Sequence, residues 1–379
     1  MAKICYAVAG EGRGHATRVR AMVEALRPHH QVVIFAADDA HGLLSQAYAG
    51  TEVVVRRIPC LRHGYDAAGR LRLGLTAWRA LPFLLNVPGY LRSLLGEVER
   101  LSPDLVITDF EPLLPWVAQR LGIPFMSLDH QRFLTECDLS LLPGHLRRSA
   151  RLLSLVVRCF YSGQKITVIS SFFALPLKPS AKRVLQVGVL LRPELEHLQV
   201  QRGEHLVAYF RRPPSPELLE KLAQSGRSIR IYGAGVRQRQ GGLQFLPLSE
   251  VGFAHDLASC AGLVATAGNQ VVGEAVAFGK PVLALPEAGN MEQAINAFFV
   301  EACGVGRAIP YQHLEPWHVR ELERFCAPQA PPKVALLGNG APAALAAVEW
   351  ALAGTTKLRP TPSGLRRPLP RPSPAGARP

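Results

Sequence analysis

The feature that most constrains this chain is an alternation of short apolar runs with amphipathic segments, which occurs twice along the sequence. In the first half, KICYAV and DLVITDF have the pattern of buried strands, and helical segments follow them. The alternation restarts at HLVAYF and continues through AGLVATAG and KPVLALPE. Strands and helices that alternate in this way form doubly wound parallel sheets. We therefore predict an α/β fold with two Rossmann-like domains that face each other across a cleft.

The domain boundaries follow from the place where the alternation restarts. We expect a first domain over residues 1–190, a linker over 191–203 and a second domain over 204–354. The remaining segment, 355–379, contains six basic residues, seven prolines and no acidic residue. A segment of this composition buries too little apolar surface to fold, so we predict a disordered basic tail.

The net charge of the chain is +14, and the tail contributes six of these charges. Many of the others lie in two helical segments, 69–95 and 145–160, in which arginines alternate with apolar residues. Such arginines either face water or contact an anionic surface, such as a membrane or an anionic acceptor. The chain lacks the combined basic and aromatic residues of a nucleic-acid platform, so we expect no nucleic-acid partner.

The seven cysteines are scattered, odd in number and without a CxxC pair. This pattern is typical of reduced thiols in the cytoplasm and argues against a zinc site or a disulfide framework. The N-terminal apolar run is too short for a signal peptide, and no apolar segment has the length of a transmembrane helix. We expect a cytoplasmic protein, either soluble or bound peripherally at the inner face of the membrane.

The segment AVAGEGRGHATR, residues 7–18, is the first motif with chemical content. It contains GxGxG followed by His15, which differs from the GxGxxG of dinucleotide-binding loops, and it lacks the Gly-Lys-Ser/Thr of a phosphate-binding loop. A dinucleotide site is an alternative, with Asp38 or Asp39 as its acidic residue. We favour a loop that places His15 at the head of a helix, where it either acts in catalysis or only caps the helix.

Polar residues also follow the predicted strands of the first domain. Because the carboxyl ends of parallel strands lie at one edge of the sheet, Gly10–His15, Asp109 and Asp129–Gln131 should face one crevice. Asp109 is either functional there or an ordinary turn residue. The predicted contacts to an acceptor come from the loop and from the strand end, and they are Glu11, Arg13, Asp129, His130 and Gln131. For Glu11 and Arg13, contact with phosphate or a role in shaping the loop are alternatives.

The strongest motif is ATAGNQVVGEAVAFGKPVLALPEAGNMEQAINA, residues 265–297. A strand is followed by a glycine turn at Gly268 and by a helix whose N-terminal amides suit a diphosphate. Glu274 lies six residues along this helix, where its carboxylate is able to accept two hydrogen bonds from a ribose diol. Glu292 and Gln293 open a later helix and suit sugar hydroxyls. The alternative for Glu274 is a solvent-facing helix residue.

This spacing resembles that of the GT-B glycosyltransferases, in particular the inverting nucleotide-sugar enzymes. These include plant and bacterial small-molecule glycosyltransferases and the peptidoglycan N-acetylglucosaminyltransferase. The plant signature is His-Cys-Gly-Trp-Asn-Ser-x-x-Glu, then Gly-x-Pro, then Asp/Glu-Gln. The matching positions here are Thr266–Glu274, Gly279–Pro281 and Glu292–Gln293. The resemblance covers the chain up to about Gly306. It implies transfer of a sugar from a nucleoside-diphosphate sugar, with UDP as the expected nucleotide, to a hydroxyl of an apolar or lipid-linked acceptor.

The resemblance implies a role for each matching residue. His15 matches the general base of the N-terminal loop, and Asp109 matches the acid that orients this histidine. Glu274 matches the glutamate that holds the ribose hydroxyls. The residues matched to the diphosphate and to the donor sugar are Thr266, Gly268, Asn269, Gln270, Glu292 and Gln293. Thr266 stands where the plant enzymes carry a phosphate-contacting histidine, so phosphate binding would rest more on backbone amides.

The stereochemical course and the cofactor requirement also follow from the motif. Retaining GT-B enzymes carry two glutamates separated by seven residues, and the first of them would fall at Thr266, so we favour inversion. We expect no cofactor and no metal site, because no DxD is placed to bind a metal. Two alternatives are a UDP-N-acetylglucosamine 2-epimerase-like enzyme and a catalytically inactive nucleotide-sugar-binding protein. Phe253 either packs near the nucleobase or belongs to the core.

Overall fold

The computed structural model of the chain describes residues 1–10, 12–61, 64 and 73–354. Glu11 and the predicted tail 355–379 lie outside the described residues. The β-strands are β1 (Lys3–Val8), β2 (Gln31–Ala36), β3 (Val54–Arg57), β4 (Leu105–Asp109), β5 (Phe125–Asp129), β6 (Thr167–Ser170), β7 (Phe173–Ala174), β8 (Val184–Val187), β9 (Leu206–Tyr209), β10 (Ile229–Tyr232), β11 (Leu243–Leu246), β12 (Gly262–Ala265), β13 (Val282–Ala284), β14 (Gly306–Ala308) and β15 (Ala335–Leu336).

Helices connect most of the strands. They are α1 (Arg13–Leu26), α2 (Asp38–Ala47), α3 (Leu73–Leu101), α4 (Leu113–Leu121), α5 (Phe133–Glu136), α6 (Gly144–Phe160), α7 (Pro193–Glu196), α8 (Pro216–Gln224), α9 (Glu250–Ser259), α10 (Asn269–Ala277), α11 (Met291–Ala302), α12 (Pro316–Arg320), α13 (Leu322–Phe325) and α14 (Ala341–Ala353). A short 3₁₀ turn spans Tyr311–His313.

The two large sheets are parallel throughout. The first has the strand order β3-β2-β1-β4-β5-β6-β8, and the second has the order β11-β10-β9-β12-β13-β14. In each sheet the order reverses beside the first strand of that domain, between β1 and β4 and between β9 and β12. Ligands of doubly wound sheets bind at such reversal points, beyond the carboxyl ends of the strands. The predicted α/β architecture with two Rossmann-like domains is confirmed.

Burial on both faces explains the near-continuous apolar runs of the central strands. All five residues of β4 and of β5 are buried, as are all four of β12. Helices cover both faces of such parallel sheets, so alternation of polar and apolar residues is not required. The charged residues of these strands, Asp109 and Asp129, are the last residues of β4 and β5 and lie at the edge where ligands bind.

The last helix, α14, packs against the first domain, although the sequence places residues up to 354 in the second. Its buried residues Ala344, Ala347 and Val348 belong to the apolar core that surrounds β1 and α1. The chain reaches this position by passing close to the segment just before the linker. A Cβ atom on Gly188 would lie 1.4 Å from the carbonyl oxygen of Gly338. Small apolar side chains allow the close helix packing, and glycine allows the crossing.

Two helices of the first domain expose large apolar side chains. Helix α3 exposes Trp78 and Leu85, and helix α6 exposes Leu155 and Val156. Helix α3 has 29 residues and contains two prolines. Among the described residues, no helix combines the length and the apolar character needed to cross a membrane.

Candidate active site

A cleft of about 440 Å³ lies between the two domains, at the carboxyl ends of the strands. The N-termini of α1 and α10 approach each other there, since a Cβ atom on Gly14 would lie 3.6 Å from the Cβ atom of Gln270. The cleft-lining residues that were predicted from the sequence are Arg13, His15, His130, Gln131, Thr266, Gly268, Asn269, Gln270, Glu274, Glu292 and Gln293.

His15 and Asp109 form a hydrogen-bonded pair at the first-domain wall of the cleft. Helix α1 begins at Arg13 because Gly12 adopts a φ of 96°, which turns the chain, and His15 therefore lies in the first helical turn. Asp109 ends the neighbouring strand β4 and is fully buried. The distance between His15 Nδ1 and Asp109 Oδ1 is 2.7 Å. The ring edge that carries Nδ1 is thus occupied by the carboxylate.

Arg18, which the sequence analysis did not single out, completes this group. It lies one helical turn after His15 and is 3% exposed. Its Nε and Nη2 atoms donate to Asp109 Oδ2 and Oδ1 over 2.7 and 2.6 Å. Burial acts to raise the pKa of Asp109, but the charges of Arg18 and His15 outweigh it and the pKa is lowered. The carboxylate therefore stays ionised although no water reaches it.

An aromatic wall lies beside this pair. Phe110 stacks parallel to the His15 ring with 6.4 Å between the ring centroids, and Phe160 stacks on Phe110 at 4.6 Å. Next to them, the buried carboxyl of Glu111 accepts hydrogen bonds from the backbone N–H groups of Leu113 and Leu114, where α4 begins. Burial raises the pKa of Glu111 to about 7 despite these bonds.

Helix α10 presents its N-terminus to the cleft from the second domain. Gly268 is the N-cap residue, and no side chain of the described residues caps the helix. Ala267 precedes it with a φ of 60°, in the left-handed region, and its carbonyl oxygen accepts a hydrogen bond from Asn296 Nδ2 over 3.1 Å. Uncapped N–H groups at a helix start, together with the helix dipole, form a binding site for an anion.

Glu274 is buried on the same helix, one turn after Gln270. Gln270 Nε2 donates to Glu274 Oε1 over 3.0 Å and to the Leu190 carbonyl oxygen over 2.9 Å. Arg192 Nη2 lies 3.8 Å from Glu274 Oε1. Burial raises the pKa of Glu274. Its side chain lines the cleft and is not solvent-facing, in contrast to the alternative left by the sequence.

Glu292 and Gln293 lie in the first turn of α11 and have different environments. Gln293 Oε1 accepts from the Glu287 backbone N–H over 2.8 Å, and Gln293 Nε2 donates to the Glu287 carboxylate over 3.1 Å. Both ends of this amide are therefore engaged by one residue. Glu292 instead accepts a hydrogen bond of 3.3 Å from Gln131 Nε2, across the cleft. The Oε1 atom of Gln131 is buried and makes no hydrogen bond in the described structure.

The family model described as glycosyl transferase family 1 matches residues 2–326. The chain belongs to this glycosyltransferase family. A search by sequence against curated proteins gives no match.

Solved structures show the same fold. The calicheamicin glycosyltransferase CalG4 superposes on this glycosyltransferase with a TM-score of 0.62 and 18% identity, over 93% of this chain and 98% of that one. UGT2 of Phytolacca americana, solved with UDP-2fluoro-glucose and pterostilbene, superposes with a TM-score of 0.58 and 18% identity, over 85% of this chain and 89% of that one. LpCGTa, solved with UDP, superposes with a TM-score of 0.56 and 19% identity, over 94% of this chain and 95% of that one. The fold of this glycosyltransferase is therefore GT-B.

Asp129 does not line the cleft, against the prediction that it contacts an acceptor. It is fully buried, and its two carboxylate oxygens accept hydrogen bonds from the Arg132 backbone N–H over 2.8 Å and from the Tyr161 hydroxyl over 3.0 Å. The strand-end position was identified correctly, but the carboxylate points back into the first domain of the glycosyltransferase. The bond to Tyr161 joins positions 32 residues apart and could not be predicted from the local sequence.

His130 and Asn269 connect the two domains of the glycosyltransferase. The Asn269 side chain donates to the Ser170 carbonyl oxygen over 3.0 Å and accepts from the Phe172 backbone N–H over 3.3 Å, so both ends of its amide are engaged by the first domain. His130 Nε2 lies 3.0 Å from Asn296 Oδ1, and its Nδ1 lies 3.2 Å from the Ser170 carbonyl oxygen. A neutral imidazole has one N–H and donates to only one of these oxygens. Burial nevertheless lowers the pKa of His130 to about 4.

Other lining residues were not predicted from the sequence. Tyr209 and Arg211, at the end of β9, face the cleft near Arg13. Phe253 lines the cleft and packs on Tyr209, with 5.7 Å between the ring centroids, and it also contacts the apolar core. Its contact with a nucleobase stays a prediction. Arginines beside the start of α10 add positive charge where an anion would bind.

The burial of His130 predicts a pH-dependent stability. Because its pKa is lower in the folded protein than the ordinary value of 6.5, its contribution is complete above pH 6.5 and is lost as the pH falls towards 4. In His130→Gln we expect this loss to be smaller by up to about 3 kcal/mol, measured by denaturant unfolding between pH 7 and 4.5. The exposed control His145→Gln should behave as wild type. Equal losses in wild type and His130→Gln would contradict the assignment.

Proposed function

We propose that this protein is an inverting glycosyltransferase that moves a sugar from a nucleoside-diphosphate sugar to a hydroxyl of an apolar acceptor. The observation that carries the proposal is the position of His15. Its ring is held by Asp109 on one side of the cleft, and the uncapped start of α10 and the buried Glu274 lie on the other side. A base and an anion site that face each other across a cleft suit the attack of a hydroxyl on a donor with a charged leaving group.

The second domain is proposed to bind the donor. The Glu274 carboxylate accepts hydrogen bonds from the ribose hydroxyls. The backbone N–H groups of Gly268–Gln270 donate hydrogen bonds to the diphosphate, and Thr266 lies beside them. Glu292 and Gln293 hold the sugar, and Gln131 reaches the same place from the first domain. UDP is the proposed nucleotide. The neighbours UGT2 and LpCGTa, whose solved structures contain UDP-2fluoro-glucose and UDP, support this choice.

The proposed chemistry follows from the tautomer of His15. An ionised Asp109 accepts from Nδ1–H, so Nε2 keeps its lone pair and takes the proton of the acceptor hydroxyl. The hydroxyl oxygen then forms a bond to the anomeric carbon while the bond from that carbon to the diphosphate breaks. The leaving nucleoside diphosphate takes the electron pair, and the amides at the start of α10 stabilise its charge. This mechanism assigns no role to a metal ion.

The acceptor is proposed to be apolar, because the part of the cleft that the first domain forms is lined by apolar side chains. Its lining includes Phe83, Phe110, Leu134, Leu153, Val157 and Phe160. Helices α3 and α6 supply part of this lining and also carry the exposed apolar side chains of the domain. Arginines alternate with these side chains along α6. A lipid-linked acceptor reached from an anionic membrane surface fits this arrangement, and we propose peripheral binding to such a surface.

Removal of the base tests the reaction. His15→Ala should lower turnover by roughly two to four orders of magnitude, because a positioned general base contributes about this much. Donor affinity should stay the same, since the donor is bound mainly by the second domain. Turnover is measured as product formation from a panel of nucleotide sugars and hydroxylated apolar acceptors. Near-wild-type turnover of folded His15→Ala would exclude His15 as the base and direct attention to Glu111.

Substitution of Glu274 tests the donor site. Glu274→Gln removes the charge that strengthens hydrogen bonds to a ribose diol, worth about 1.5–3 kcal/mol, so the donor dissociation constant should rise roughly 10- to 150-fold. Calorimetric titration with UDP and with the accepted nucleotide sugar measures the change. The exposed control Glu217→Gln on α8 should bind as wild type. Unchanged donor affinity in Glu274→Gln would contradict the proposal that Glu274 binds the ribose hydroxyls.

Vesicle flotation tests membrane binding. A chain that ends at Gly354, without the basic tail, should float with phosphatidylglycerol vesicles at low salt and dissociate as salt rises. Leu155→Glu should reduce flotation, because this exposed residue of α6 would then repel the anionic surface. Val251→Glu, at a similarly exposed position in the second domain, is the matched control and should float as before. No flotation at low salt would favour a soluble acceptor.

A further inference from the structure

The environment of Asp109 differs from that of a simple histidine–aspartate pair. Both carboxylate oxygens accept from Arg18, and Oδ1 is shared with His15 Nδ1. Arg18 Nη2 also lies 3.0 Å from Nδ1 itself. Asp109 is fully buried and Arg18 nearly so. A guanidinium that binds a carboxylate through two N–H groups fixes the orientation as well as the charge of that carboxylate.

The contacts at His15 Nδ1 favour one of the two tautomers. An ionised carboxylate oxygen at 2.7 Å carries no proton, so two lone pairs would face each other unless Nδ1 carries one. The Arg18 Nη2 atom then lies near Nδ1 without donating to it. As long as Asp109 is ionised, the proton of a neutral His15 is on Nδ1 and the lone pair is on Nε2.

The other charged and titratable groups that face the pair come from β1, from the end of β5 and from the cleft. Tyr6 stays neutral, because burial raises the pKa of its hydroxyl well above the ordinary value. Burial also lowers the pKa of His130 to about 4, so this ring is neutral at higher pH. Among the residues that the structure describes, Asp129 lies close enough to interact with Asp109 and Arg18, and Glu111 and Arg13 line the same cleft. Substitutions of Arg18 leave these residues unchanged in the sequence, so the comparison with wild type tests the guanidinium.

We propose that Arg18 is a positioning residue of this site: it holds Asp109 as a fixed, ionised acceptor for His15 Nδ1 and so presents the Nε2 lone pair to the acceptor hydroxyl. Arg18 also makes the group of three neutral before proton transfer, whereas His15 and Asp109 alone would carry a buried negative charge. A buried negative pair holds a proton strongly. Arg18 therefore keeps His15 free to take up a proton. The inference rests on the proposed role of His15, but its first test needs no substrate.

The first test is a pH titration of the full chain labelled with ¹⁵N-histidine. Imidazole ¹H–¹⁵N spectra report the protonated nitrogen, and the His15 resonances are assigned by their absence in His15→Gln. In wild type above the titration midpoint, we expect a proton on Nδ1 and none on Nε2. A proton on Nε2 would overturn the proposal, and this measurement does not depend on the folding of any Arg18 variant.

Variants of Arg18 test the effect of its charge. In Arg18→Met and in Arg18→Gln, the His15–Asp109 pair should hold its proton to a pH that is higher by about one to three units. In Arg18→Lys, which keeps the charge, the midpoint should shift by less than about half a unit. The control Arg27→Met, at the C-cap of the same helix and paired with Glu24 and Glu52, should titrate as wild type. Unshifted midpoints in folded Arg18→Met and Arg18→Gln would overturn the proposal.

Kinetics separate positioning from a structural role. Arg18→Met should lower kcat by about 100-fold without changing the KM for the donor, because the base is misplaced while the donor site is intact. The acid limb of its pH profile should move with the NMR midpoint. A role in stability alone would lower the melting temperature and leave the pH profile of the folded enzyme in place, which would contradict the proposal. If His15→Ala were fully active, the proposed reaction would fail while the NMR result would stand.

Discussion

Parallel strands end at the same edge of a sheet, and both sheets of this protein direct that edge towards the cleft. The segments that follow β1 and β12 therefore deliver the N-termini of α1 and α10 to the same place. A helix start carries unpaired N–H groups and partial positive charge. One of these two helices brings His15 to the carboxylate at the end of β4, and the other starts without a side-chain cap. The chemistry of the cleft depends on this meeting of two helix ends.

Much of the fold and part of the site follow from local sequence patterns. Apolar runs and glycine turns mark the strands, and the spacing between Gly268 and Glu274 places a carboxylate one turn and a half into α10. Short elements such as α2 and β14 were missed, because a three-residue strand or a helix rich in small and polar residues has little periodicity. Helix α14 was placed in the second domain by its position in the sequence but packs on the core of the first, because its almost uniformly small and apolar residues do not indicate which core it covers.

The contacts of several buried polar residues could not be predicted, because they join segments far apart in the chain. Arg18 looks like any solvated arginine of an amphipathic helix, yet it binds a carboxylate 91 positions away. Asp129 ends a strand like Asp109 but binds Tyr161 instead of facing the ligand edge. An arginine three residues after a functional histidine lies on the same helix face, and this spacing was the one local indication available.

The polypeptide passes between the two domains twice at one place, from the first to the second near Gly188 and back near Gly340, whose N–H donates to the Val189 carbonyl oxygen. Gln270 binds the Leu190 carbonyl oxygen beside these crossings, and Arg192, two residues further on, lies 3.8 Å from Glu274. Phe173 of the first domain also stacks on Phe299 of the second, with 4.0 Å between the ring centroids, so an apolar core is shared by both domains. The pocket around Glu274 is therefore built by the second domain together with the segment that connects it to the first.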